Sequence, residues 1–200
     1  MAQYDLRDIK VAKYVNNNGT VTYTGATKAG DAMAVNIELR NAEGRLYAES
    51  TLAEYMRKAT GGTISMGVKY LSDAVQKLLF GATDKSRSIT YQAGTTEVTE
   101  SVTGVAYGAN TEGNYVGLAC YSPCMRDGVK KYLCLFIPKT LFGPPSMSLQ
   151  TANESITFQT PTTSGEFLAS DASDKELFET VTVDSEEAAK AWVDAVFTAA

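Results

Sequence analysis

Apolar and polar residues alternate along most of this chain with a period of two, the spacing that turns one face of a strand to a core and the other to water. Met33, Val35, Ile37 and Leu39, interleaved with Ala34, Asn36 and Glu38, predict a half-buried strand. Ile64, Met66, Val68 and Tyr70 repeat the pattern after Thr60-Gly61-Gly62-Thr63. The two glycines suit the positive φ angles of a tight hairpin turn, which makes 53–59 the expected partner strand. Asn18-Gly19 predicts a second hairpin, between 9–15 and a Thr- and Tyr-rich arm at 20–24. Two strongly apolar runs, VGLACYS (116–122) and KYLCLFIPK (131–139), flank the turn residues Arg126-Asp127-Gly128 and predict a central hairpin buried on both faces. Further strands are expected at 101–107, 154–160 and 180–183, with Gly143-Pro144-Pro145 and Thr160-Pro161 punctuating the gaps.

Two segments depart from this period. In 72–80, Ser72 is placed to cap a helix, Gly81 to end it, and Val75, Leu78 and Leu79 fall at i, i+3 and i+4 on one stripe. In 185–197, Asp184 and Glu187 form an Asp-x-x-Glu variant of a capping box, and Ala189, Trp192, Val193 and Val196 make the buried stripe. The only tryptophan therefore reads as structural.

Length and composition set the class. Two hundred residues, 44% apolar and 20% charged, fit one globular domain with a sizeable core. No apolar run approaches the ~18 residues of a membrane span, and the first residues lack a signal-peptide core, so folding in the cytosol is expected. The net charge of -5 is unevenly spread, because 1–150 carry 16 Lys/Arg against 13 Asp/Glu whereas 151–200 carry 2 against 10. Without a basic stripe, nucleic-acid binding by counterion release is disfavoured.

The candidate chemistry is thin. With no histidine there is no Ser-His-Asp triad, no Cys-His pair and no histidine metal ligand. Cys120, Cys124 and Cys134 are an odd number, lack the paired C-x2-C spacing of a zinc site, and read as reduced thiols. Gly61-Gly62 is followed by neither Lys-Ser/Thr nor a helix, which argues against a phosphate loop. Glu97/Glu100 and Glu186/Glu187 sit in polar stretches that read as solvated faces, not as convergent catalytic carboxylates. Tyr91, Tyr107, Tyr115, Tyr121 and Tyr132 would make an aromatic platform if they met, but strand propensity and subunit contacts explain them more simply. No catalytic, cofactor or metal site is expected, and the residues point to a binding or structural protein.

The succession of segments goes further. Thr22-Tyr23 followed by Gly25, the strand AMAVNIEL (32–39), Arg45-Leu46-Tyr47-Ala48, GGTISMGVKYLSDAVQKLLFG (61–81), YVGLACYS (115–122), DGVKKYLCLFIPK (127–139) and ESITFQTPTTSGE (154–166) come in this order. This order resembles the major tail protein (tail tube protein) family of long-tailed phages of Gram-positive bacteria. The resemblance covers most of the chain and is poorest at 84–101 and 169–179.

The resemblance implies a mainly β (α+β) fold, a tail-tube-type β-sandwich or half-barrel in one domain over 1–200, with 169–200 as a peripheral segment. Helices are expected at about 72–80 and 185–197. It implies a structural virion protein, not an enzyme, whose hexameric rings stack into the conduit for genome delivery. Its partners would be further copies of itself, a tape measure protein, and the initiator (tip) and terminator proteins of the tail, with DNA passing through without specific binding and no membrane. It would reside in the virion tail, after assembly in the host cytoplasm. The polar stretch 40–52 corresponds to a long loop that reaches the next ring, so Arg40, Glu43, Arg45 and Tyr47 are the expected stacking contacts. Glu154, Glu166, Asp171 and Asp174 either line an acidic lumen or lie on a solvated outer face. The rival readings are the inner tube of a contractile tail or related injection machine, then a soluble β-sandwich ligand-binding module, and last an enzyme using one of the cysteines.

Overall fold

The structure, a computed structural model, describes residues 2–151 and 159–198. Antiparallel strands dominate it. β1 (Ala2–Gln3) is followed by β2 (Arg7–Asn17) and β3 (Thr20–Lys28), joined as expected by Asn18-Gly19, where both residues take positive φ (52° and 90°). The central hairpin is β8 (Tyr115–Arg126) and β9 (Val129–Phe142), turning at Asp127-Gly128. Between these pairs lie two more hairpins, β4 (Ala32–Ala48) with β5 (Thr51–Val68), and β6 (Thr83–Ala93) with β7 (Thr96–Ala106). β10 (Thr162–Leu168) and β11 (Glu179–Val183) both pair with β9. The strand expected at 154–160 falls mostly on 152–158, outside the described residues, and 159–160 are not in a strand.

The main sheet runs β3-β2-β8-β9-β10-β5-β4, with β1 alongside β8 and β11 alongside β9. It curls, so that Val35 and Ile37 of the edge strand β4 pack on the same core as Leu118 of β8 and Ile137 of β9. That core continues through Ile9, Val11, Ile64, Met66, Phe142 and Phe167 and is plugged by α1 (Asp73–Phe80) through Val75, Leu79 and Phe80. Ser72 accepts a hydrogen bond from the Val75 amide, and Gly81 closes α1 in the left-handed conformation, as the sequence predicts.

The apolar runs of β8 and β9 are buried on both faces, as expected, but the second cover is a helix of the same chain, not the packed sheet or neighbouring subunit that their hydrophobicity suggests. α2 (Glu186–Ala195) lays Ala189 and Val193, with Phe197 just beyond it, on Ala119, Tyr121, Cys134 and Phe136. The cap of α2 differs from the expected one. Ser185, not Asp184, accepts from the Ala188 amide, while Asp184 reaches across to pair with Lys131.

One expected turn is absent. Thr60-Gly61-Gly62-Thr63 lies inside β5, so 53–59 and 64–68 are one strand, and the turn sits at Glu49-Ser50, both residues at positive φ (51° and 65°). The glycines serve packing. A Cβ on Gly62 would stand 2.1 Å from the Glu38 carbonyl oxygen and 2.5 Å from the Phe167 ring, and Gly61 (φ 134°) sits where the β4–β5 register shifts.

The uneven charge folds back on itself. Glu186 pairs with Arg7 (3.1 Å), Asp171 with Lys139 (2.7 Å), Glu166 with Arg40 (3.0 Å), and Asp194 with Lys10. With Asp184–Lys131, five carboxylates of the acidic last quarter meet five cations of the earlier chain.

Candidate functional site

Two arms project from this body. The first is the outer half of β4–β5, where Asn41 faces Ala59 and the ladder runs to Ala48 and Thr51. At about 3.4 Å per residue it reaches about 25 Å, with almost every residue exposed. Paired residues share a face, so Glu43/Arg57, Arg45/Tyr55 and Tyr47/Leu52 line one side, and Gly44/Met56 and Leu46/Glu54 the other. Arg45 stacks over the Tyr55 ring (5.7 Å to its centroid) and bonds Glu43 at 3.4 Å, while Arg57 lies 3.7 Å from Glu43. Tyr47, Leu46 and Met56 are 60%, 57% and 73% exposed, apolar surface that a lone subunit leaves in water.

The second arm is the β6–β7 hairpin, a two-stranded sheet of its own. Its register puts Arg87, Ile89 and Tyr91 with Val98, Glu100 and Val102 on one face. The opposite face is a ladder of hydroxyls in which Ser86 and Thr103 meet at 2.7 Å and Thr90 and Thr99 at 2.8 Å. An isolated two-stranded hairpin is marginally stable in water, so an amphipathic arm of this length calls for a partner.

The expected stacking residues are thus brought together: Glu43, Arg45 and Tyr47 share one face of the first arm, with Arg40 at its root, held by Glu166 of β10. The expected acidic face is dispersed. Asp171 accepts from the Tyr14 hydroxyl (3.0 Å) as well as Lys139, whose hydrogen bond holds its carboxyl below the usual range. Asp174 accepts from the Glu176 amide in a loop (3.4 Å), and Glu154 lies outside the described residues.

The other candidates stay apart. Tyr121 and Tyr132 are buried against each other, Tyr107 packs by Phe80, Tyr115 lies under the Lys139 ammonium, and Tyr91 is on the second arm. Glu97 and Glu100 face opposite sides of their arm. Glu186 is not merely solvated: hydrogen bonds from Lys190, the Tyr121 hydroxyl and Arg7 lower its pKa. All three cysteines are buried and reduced, and burial pushes the Cys120 thiol up to about 12 and Cys134 up to about 11. No cluster of His, Cys, Asp or Glu among the described residues is arranged to hold a metal ion, and none of their helices is long and apolar enough to cross a membrane.

No protein-family model matches this chain, and no curated protein matches it. The surface features are therefore read on their own physics. Sequence reasoning overlooks the β5 half of the first arm, because 53–59 looks like a strand ending at a glycine turn. Of the second arm it finds only part of β7, in the strand expected at 101–107, and overlooks β6, although Ile89, Tyr91, Val98 and Val102 alternating with Ser and Thr carry the pattern.

Proposed function

We propose that this chain is the structural subunit of a phage-type tail tube, six copies closing into a ring and the rings stacking into a hollow conduit for DNA. The observation that carries the reading is the pair of long exposed hairpin arms, with unpaired strand edges and apolar faces, on one small curled sheet. Such edges are an aggregation hazard on a monomer, and closing them against neighbouring copies converts the hazard into an assembly contact. The curl of the sheet and the α1 plug support the half-barrel form of the subunit.

The first arm is the stacking contact, with Arg45, Tyr47 and Tyr55 as its anchors, since Arg and Tyr dominate interface energetics. Stacking by such an arm is a heterologous contact, which extends indefinitely unless a length-setting partner stops it. Tape measure, initiator and terminator proteins fill those roles. The carboxylates at Glu166 and Asp171 are neutralised by Arg40 and Lys139, which supports a place for them on the solvated body rather than in an acidic lumen.

Negative-stain electron microscopy across a concentration series, with sedimentation of the same samples, tests the reading. Hollow rings or tubes are expected. A monomer at every concentration that also fails to polymerise on a tail-tip initiator overturns it, and a saturable small ligand would then favour a binding module.

A further inference from the structure

The curled sheet does not close. β4 pairs with β5 on one side only, and beside its open edge a cleft of about 240 Å³ lies between Val35 and Ile37 on one wall and Cys120, Leu133 and Leu135 on the other. The odd-numbered residues of β4 have the alternation of a buried face, yet Met33 is 55% and Leu39 46% exposed, and Val35 and Ile37 are only partly covered. The strand is patterned for a cover that the described residues of its own chain do not supply.

The second arm has the opposite deficiency: strands with open edges and a largely apolar face, interrupted by Arg87 and Glu100, that no described residue covers. Ile89, Tyr91 and Val102 are 40–45% exposed. Among the described residues the arm is anchored at its root, where Lys77 of α1 pairs with Asp84 (3.0 Å), the Tyr107 hydroxyl donates to the Gln76 side-chain oxygen (2.8 Å), and the Tyr107 ring lies 6.2 Å from that of Phe80. It shares no ladder with the main sheet.

Building on the ring-forming reading, we propose that the β6–β7 arm of one copy adds to the open edge of β4 in a second copy, laying Ile89, Tyr91, Val98 and Val102 over the cleft. Strand addition satisfies the unpaired amides and carbonyls of both edges. It also matches faces. Residues of adjacent strands that share a side carry the apolar surface of Val35, Ile37 and Leu39 on into Ile89, Tyr91, Val98 and Val102, with Arg87 and Glu100 of the arm on the same side. On the other side, Asn36 and Glu38 continue into the ladder of Ser86, Ser88, Thr90, Thr99, Ser101 and Thr103.

Eleven residues at about 3.4 Å make an arm about 35 Å long and, with two strands, about 10 Å wide, so one face covers on the order of 350 Å² on each partner. That is a little under half of the ~800 Å² per partner of a standard interface, and edge pairing and the other contacts of the ring supply the rest. Because giver and receiver surfaces differ, the contact is heterologous, as ring closure requires.

A photo-crosslinking amino acid, benzoylphenylalanine, in place of Tyr91 tests this. Free subunits with and without 15N label are mixed, assembled, irradiated and mapped by mass spectrometry, with the same samples imaged on grids. Links between labelled and unlabelled copies landing within 33–39 or 133–135 are expected. Rings whose links fall elsewhere, or only within one copy, overturn the proposal and leave the ring reading standing; unsubstituted subunits that form no rings alone or on a tail-tip initiator overturn both. The exposed pair Ile89→Asp and Val102→Asp should abolish rings with an unchanged circular dichroism spectrum, whereas Ser88→Asn on the opposite face should keep them. Rings that survive the double substitution overturn the proposal.

Discussion

Phe167 of β10 occupies the space that a side chain on Gly62 of β5 would need, its ring lying 2.5 Å from where a Cβ would stand. The β5–β10 ladder pairs these same two residues, so neither strand can back away without breaking hydrogen bonds. Gly62→Ala is therefore expected to cost about 1–3 kcal/mol as overpacking does, lowering Tm by several degrees at this chain length. Gly44→Ala, in the exposed arm with nothing within 4 Å, should stay within about 0.5 kcal/mol. Thermal and urea unfolding of the two variants checks the contrast.

Acid should loosen the attachment of the last quarter. Asp171 and Glu186 are held below their ordinary pKa values, chiefly by hydrogen bonds from Lys139 and Lys190 respectively, with Tyr14, Tyr121 and Arg7 adding to them. A depressed carboxyl contributes stability that is present above its unfolded pKa, about 4, and is lost as pH falls through the folded value. Glu176 has the opposite sign, raised first by burial and then by Asp174 and Glu179, so its contribution is lost as pH rises through its folded value. Titration of Trp192 fluorescence from pH 6 downward should show a transition at about pH 4 or below, flattened by Asp171→Asn. Glu176→Gln should instead raise stability at neutral pH.

The thiols should be silent in the native protein. Cys120, Cys124 and Cys134 are buried, and desolvation keeps Cys120 and Cys134 protonated at neutral pH. A thiol reagent at pH 7.5 is expected to label none of them in minutes, and all three after unfolding in guanidinium. Rapid native labelling of one cysteine would contradict the packing of β8 on β9.

The first arm should matter to assembly and not to folding. Arg45→Ala with Tyr47→Ala removes exposed side chains only, so stability should change by less than about 0.5 kcal/mol. Tube length and yield on grids should fall sharply. Unchanged tubes would remove these residues from the stacking contact.

Much of the body was legible in the sequence because its signals are local. Asn18-Gly19, the Ser72 and Gly81 caps and the apolar runs of β8 and β9 each report on a backbone or burial requirement within a few residues. Gly61-Gly62 misleads because one residue type answers two needs, a positive φ in a turn and a close approach inside a sheet. The turn that does form, Glu49-Ser50, uses two residues that turn statistics disfavour at positive φ. Ser185 displaces Asp184 as the cap of α2 because Asp184 has a cation across the sheet, a long-range fact. Among the expected surface residues, Glu43, Arg45 and Tyr47 share a face because strand alternation fixes it, whereas the partners of Glu166 and Asp171, Arg40 and Lys139, are distant in the sequence and no local pattern announces them.

The order in which the chain leaves the ribosome gives the α2 clasp a further meaning. β8 and β9 are made well before β11 and α2, so until α2 emerges, Tyr121, Tyr132 and Cys134 lack Ala189 and Val193 on their outer side, while Phe136 has Tyr23 of β3 against it. A nascent chain stalled short of α2 presents the stickiest sheet in the molecule to its neighbours on the polysome. Synthesis of α2, with Glu186 drawn onto Arg7 and Asp194 onto Lys10, is the step that lays Ala189 and Val193 over that face.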